Sequence, residues 1–118
     1  MIIAIDFDGT IAKETDNPVF PGELIAGANT FINKLHDEGH YIIIWTCREA
    51  YNQHICELYL NKYGIKYDRI NANAEGHFDI FHHDCRKINA DIYIDDKGLY
   101  PLPTWREIYD RIQEINVK

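Results

Sequence analysis

Positive charge is in short supply in this chain: 12 Lys and Arg stand against 19 Asp and Glu, for a net charge of −7 across 118 residues. Affinity for nucleic acid comes mainly from Lys and Arg neutralising phosphates, so the composition argues against a nucleic-acid partner. Cysteine is scarce as well. Cys47, Cys56 and Cys85 stand at unrelated spacings that make neither an even disulfide framework nor a paired metal signature, and they read as reduced thiols. Long apolar runs are missing: none approaches the roughly 18 residues of a membrane span. The amino terminus lacks a charged region followed by a long apolar one, so a cytoplasmic protein without a membrane partner is expected. There is no internal repeat, low-complexity tract or polar linker. At this length, residues 1–118 are expected to form a single domain around one core.

What the chain does have is acid at the ends of apolar runs. Ile2, Ile3, Ala4 and Ile5 read as a buried strand that ends in Asp6-Phe7-Asp8-Gly9-Thr10. By chance a D-x-D-G-T string appears about once in a thousand chains of this size. Gly9 lets the backbone turn sharply and approach a ligand closely. Late in the chain, Asp91 to Ile94 leads into Asp95-Asp96 and repeats the theme.

Between these ends, strand and helix signals alternate. Pro21 and Gly22 open a predicted helix with Leu24, Ile25, Ala28, Phe31, Ile32 and Leu35 on one face and Gly39 just past its end. Tyr41 to Trp45 suits a central parallel strand covered on both faces, and Thr46 follows it. Tyr51, Ile55, Leu58 and Tyr59 recur at helical spacing, closed by Gly64, and a short strand is expected around Lys66 to Ile70. Thr104 to Glu107 has capping-box spacing ahead of Trp105, Ile108, Tyr109, Ile112 and Ile115. This alternation predicts an α/β fold with ligand-binding loops at the carboxyl ends of the strands, where Asp6, Asp8, Thr46, Asp95 and Asp96 all fall.

Four carboxylates in one crevice repel each other. Two like charges about 4 Å apart cost roughly 4 kcal/mol at an effective dielectric of about 20, so the site is expected to recruit a hard cation. Oxygen-only ligation suits Mg²⁺, whereas Zn²⁺ favours His or Cys. His77, His82, His83 and Cys85, with Cys47 and Cys56 elsewhere, fit no standard zinc spacing and read better as surface histidines and a packed thiol.

The pattern resembles the haloacid dehalogenase-like (HAD) superfamily of phosphohydrolases, in particular a small capless group. Asp6-Phe7-Asp8-Gly9-Thr10 is similar to the first motif of that family, Thr46 after Ile42-Ile43-Ile44-Trp45 to the second, Lys87 to the third, and Asp95-Asp96 to the fourth. The resemblance implies a Rossmann-like three-layer α/β/α sandwich with a mostly parallel sheet of four to five strands. Only 37 residues separate Asp8 from Thr46 and 40 separate Thr46 from Lys87, so no cap domain is expected. Pro103-Thr104-Trp105 matches a later segment of the capless group.

Carried over to this chain, the resemblance implies a Mg²⁺-dependent phosphomonoesterase acting on a small phosphorylated metabolite or nucleotide. Asp6 would attack phosphorus and form an aspartyl-phosphate, and Asp8 would be the general acid and base. Thr46 and Lys87 would bind the phosphoryl group, with Gly9 and Thr10 beside it. Magnesium would sit on Asp6, the main-chain carbonyl of Asp8 and Asp96, with Asp95 acting through water. Arg48 is a candidate substrate contact, with a helix-start surface charge as its alternative, and Arg86 is the competing basic group beside Lys87.

Residues Ile11 to Phe20 form a polar loop where the family places a flap, with Lys13, Asn17 and Phe20 as candidate contacts. Asn71 to Arg86 is a long aperiodic stretch that delivers Lys87. A phospho-accepting module and a catalytically silent phosphate-binding domain are the alternatives, and a homo-oligomer stays open.

Overall fold

Two faces of one small sheet are covered very unequally in this protein. The computed structural model describes residues 1–82, 86–98 and 101–117. Its elements run β1 (Ile2–Ile5), α1 (Ala28–Asp37), β2 (Tyr41–Ile44), α2 (Ala50–Lys62), β3 (Arg69–Ile70), α3 (His77–Phe81), β4 (Ile92–Ile94) and α4 (Trp105–Val117). The four strands pair in the order β3-β2-β1-β4, all parallel. Central β1 sets Ile3 beside Ile42 on one side and beside Ile92 on the other.

Because side chains alternate along a strand, Ile3 and Ile5 of β1 and Ile42 and Ile44 of β2 share one face. They form the main core with Ile32 and Leu35 of α1, Cys56 and Leu60 of α2, and Trp105, Ile108 and Ile112 of α4. Ala4 and Ile43 point to the other face, where Ile88 covers them and Ala90, Trp45 and Tyr41 pack at the margin. The continuous apolar run of β2 is thus explained: both of its faces are buried. The architecture is a Rossmann-like α/β fold built on a four-stranded, all-parallel sheet.

Four local expectations are corrected. The first helix begins at Ala28, not near Pro21. Residues before it pair with the loop after β1 instead: the Lys13 N–H donates to the Glu23 carbonyl at 2.8 Å and the Ile25 N–H to the Ile11 carbonyl at 2.8 Å. That ladder closes a hairpin-like flap over residues 13 to 23. Gly27 precedes the helix at φ 85°, and a Cβ there would come within 3.1 Å of the Phe31 ring and 3.3 Å of Trp105.

In α2 the buried residues are Cys56 and Leu60, whereas Tyr51 and Leu58 are exposed. The edge strand β3 holds only Arg69 and Ile70. At α4 the Thr104 half of the expected capping box forms, with the Glu107 N–H donating to Thr104 Oγ1 at 3.2 Å, while Glu107 Oε1 accepts from that hydroxyl at 3.1 Å rather than from the Thr104 N–H. Ile115, placed on the buried face from its spacing, is half exposed.

No helix among the described residues is long and apolar enough to cross a membrane.

Candidate active site

Parallel pairing brings the ends of β1 and β4 together, and with them acids almost ninety positions apart in the chain. The Asp6 N–H donates to the Ile94 carbonyl at 2.9 Å, continuing the β1–β4 ladder past the last strand residue. Asp6, Asp95 and Asp96 each offer a carboxylate oxygen within 4.8 Å of the others.

Thr10 braces the group. Its buried hydroxyl accepts from the Asp96 N–H at 3.1 Å and faces Asp6 Oδ2 at 3.2 Å and Asp96 Oδ1 at 3.5 Å. Resemblance had put Thr10 at the substrate, but a fully buried hydroxyl engaged by two acids is a brace. The brace is itself held from below, because the Trp105 indole N–H donates to the Thr10 carbonyl at 3.0 Å.

Gly9 explains how the turn fits. It adopts φ +87°, and a Cβ would stand 2.4 Å from Asp96 Oδ2, closer than any side chain tolerates. Glycine is needed for both reasons. Close approach has an electrostatic consequence: burial, a hydrogen bond with Asp96 and the charges of Asp95 and Asp96 push the Asp6 carboxyl up to about 8, against a smaller lowering by Thr10. Asp95 sits at the open side of the group and heads a turn, accepting the Lys97 N–H on Oδ1 at 2.9 Å.

Asp8 lies apart from the triad. Its Oδ2 accepts Arg48 Nε at 2.8 Å and its Oδ1 accepts Arg48 Nη2 at 2.9 Å, a bidentate pair. Arg48 is therefore not the helix-start surface charge that was its alternative; it is 7% exposed. Its Nη1 also donates to the Val19 carbonyl at 2.6 Å and the Asn52 carbonyl at 3.3 Å, and its guanidinium lies 5.3 Å from the centre of the Phe7 ring.

Thr46 follows β2 as expected and is nearly buried, with its Oγ1 accepting the Arg48 N–H at 3.2 Å. Asn71, a residue the sequence reading passed over, holds this loop. Its Oδ1 accepts the Thr46 N–H at 2.8 Å, its Nδ2 donates to the Arg48 carbonyl at 3.3 Å, and its backbone sits at φ 52°. An Asn directly after a strand, one of the few residue types that tolerates that conformation, was the available signal.

The Lys87 ammonium lies 5.1 Å from the centre of the Tyr93 ring on the edge strand β4. Tyr93 ties the segment carrying Lys87 to the sheet, donating its hydroxyl to the Ile88 carbonyl and accepting the Ala90 N–H at 3.3 Å. Of the histidines considered for zinc, His77 stacks on Phe81 with ring centres 4.7 Å apart, and His83 and Cys85 lie outside the described residues. Among the described residues, the acidic triad is the one grouping with metal-ligand geometry.

The flap stands over Asp8. Thr15 Oγ1 meets the Asn17 and Phe20 carbonyls at 2.9 and 3.0 Å, and Asn17 Oδ1 accepts the Val19 N–H at 2.8 Å. A cleft of about 200 Å³ separates this turn from Asp8 and Arg48.

No family model and no curated protein matches the chain. A solved structure from Bacteroides thetaiotaomicron, described as that of a conserved protein coded by a locus, is similar at 34% identity and a TM-score of 0.85. The match covers 98% of this chain and 91% of the other.

Proposed function

We propose that this chain, which belongs to the family of that conserved Bacteroides protein, is a Mg²⁺-dependent phosphomonoesterase of the HAD-like type, acting on a small phosphorylated metabolite or nucleotide. The observation that carries the reading is the convergence of the Asp6, Asp95 and Asp96 carboxylates, with Asp6 and Asp96 sharing the Thr10 hydroxyl. An acid held this close to two others, in a buried setting that raises it to about 8, is poorly suited to stand alone as a carboxylate. The donors are all oxygen, which fits magnesium. Asp6 and Asp96 would hold the ion with the Asp8 main-chain carbonyl, and Asp95 would act through water. When bound, magnesium would offset the repulsion among the acids and the charge of an incoming phosphoryl group.

The residues then divide the work. Asp6, anchored to β4 by its backbone, would attack phosphorus, displace the alcohol and carry the phosphoryl group as an acyl phosphate. Thr46 and Lys87 would bind phosphoryl oxygens. Asp8 would give a proton to the departing alcohol and later take one from water. Release of inorganic phosphate from a panel of phosphomonoesters, with and without Mg²⁺, tests the reading. No release from any ester, with the protein folded, defeats it.

One observation favours the phospho-accepting alternative: both oxygens of Asp8 are engaged by Arg48. A phosphorylated Asp6 that persists for minutes would support that alternative, and rapid breakdown would support the hydrolase.

A further inference from the structure

Arg48 joins three parts of the chain: the loop after β1, the flap and α2. Nε and Nη2 clamp the Asp8 carboxylate after β1, and Nη1 bonds the Val19 carbonyl in the flap and the Asn52 carbonyl in α2. Four hydrogen bonds leave little freedom to a planar guanidinium, and the Phe7 ring lies beneath it. An exposed ion pair would mean little for position. Here the arginine side chain is only 6% exposed, while that of Asp8 keeps 33% of its surface open. The open part of Asp8 faces the cleft of about 200 Å³ whose far wall is Glu14, Thr15, Asn17 and Phe20.

Backbone pairing already links the loop after β1 to the base of the flap, and Arg48 adds a direct side-chain link from Asp8 to the flap tip at Val19. Thr15 and Asn17 spend their polar atoms inside the flap turn, so the turn keeps its shape, and Arg48 fixes where that shape sits. Asp8 lines the cleft and Asp6, Asp95 and Asp96 do not, so an alcohol that takes its proton from Asp8 would leave on the cleft side.

We infer that Arg48 is a positioning residue, which aims the Asp8 carboxylate into the flap cleft and holds the flap there, so that the cleft receives the leaving group of a phosphate ester. The inference rests on the phosphomonoesterase reading for its chemistry. It does not require Arg48 to touch the phosphoryl group, the role first considered for it. Lysine at this position would keep the charge but lose the two-pronged grip and the bond to Val19.

The test compares phenyl phosphate with p-nitrophenyl phosphate, esters of similar shape whose leaving groups differ in their need for a proton. In R48K and R48A, kcat for phenyl phosphate is expected to fall at least about tenfold further than kcat for p-nitrophenyl phosphate, because misplacing a general acid hurts the poorer leaving group. Millimolar guanidinium is expected to restore part of the loss in R48A. Equal losses on both esters, or a loss confined to KM, overturn the positioning role and return Arg48 to phosphate binding or to structure alone.

Hydrogen exchange at the Val19 and Phe20 amides gives a second readout that needs no activity. It is expected to quicken in R48K, and unchanged flap exchange overturns the clasp. Wild-type protein that hydrolyses neither ester nor any other phosphomonoester removes the parent reading instead, and flap exchange in R48K then decides the clasp alone. R48K also serves if R48A does not fold.

Discussion

Both carboxylate oxygens of Asp8 are bound by the guanidinium of Arg48, at 2.8 and 2.9 Å, so the second acid of the D-x-D motif is separated from the first by its choice of partner. Asp6 turns to Asp95 and Asp96, and Asp8 turns to the flap. Two carboxylates only two positions apart in sequence thereby occupy different electrostatic settings: one among acids, one against a buried cation.

Asp6→Asn is expected to abolish turnover by more than about a thousandfold, since an amide cannot attack phosphorus as a carboxylate does. Phosphate release in Mg²⁺ buffer measures it, and circular dichroism checks the fold. Activity near that of the wild type would remove Asp6 as nucleophile.

The acidic group makes stability depend on pH in a definite sense. The Asp6 carboxyl is held up at about 8 against an ordinary value of 3.8, so the folded chain keeps a proton that the unfolded chain releases across that window. Its contribution is fully present below the lower value and is lost as pH rises through the upper one. Metal-free protein should therefore lose thermal stability between about pH 4 and pH 8, more steeply than Asp6→Asn does. Mg²⁺ at pH 8 is expected to raise the Tm of the wild type more than that of the variant. Identical pH slopes for the two proteins would contradict this.

Gly9→Ala puts a Cβ where Asp96 Oδ2 lies 2.4 Å away, at a φ of +87°. Strain and displacement of Asp96 together are expected to cost about 1–3 kcal/mol and to blunt any Mg²⁺-dependent rise in Tm. Urea denaturation measures the first and a Mg²⁺ titration followed by Tm the second. A variant as stable and as Mg²⁺-responsive as the parent would show that the loop relaxes freely.

Trp105→Phe removes the indole N–H that satisfies the Thr10 carbonyl. Leaving that buried acceptor unpaired is expected to cost about 1–3 kcal/mol in urea denaturation. Activity should fall as well, because Thr10 braces Asp6 and Asp96; a stability loss with unaltered kcat would show that the brace tolerates the change.

Much of this organisation was legible before any coordinates. Apolar runs ending in acid announced parallel strands with a site at their carboxyl ends, because burial on both faces demands continuous hydrophobicity and glycine permits the turn. The Thr104 half of the capping box was equally plain, since Thr104 and Glu107 are three residues apart. The start of α1 was misjudged because Leu24 and Ile25 have helical spacing yet are used in pairing with residues 11 and 12, a long-range competition that periodicity does not register. In α2 the same blindness placed Leu58 inside, although the sheet receives Cys56 and Leu60.

Local chemistry along the chain was enough to settle which residues could form strands, turns and caps, and which acids would stand at strand ends, because those outcomes depend on neighbours a few positions away. Which acids meet, and that Arg48 crosses forty positions to take Asp8 while Asn71 steadies Thr46, was decided only when the sheet order β3-β2-β1-β4 brought distant strand ends side by side. Pairing of charged and polar groups at that range depends on three-dimensional proximity and on exclusion of water, and neither is written in the spacing of residues along a chain.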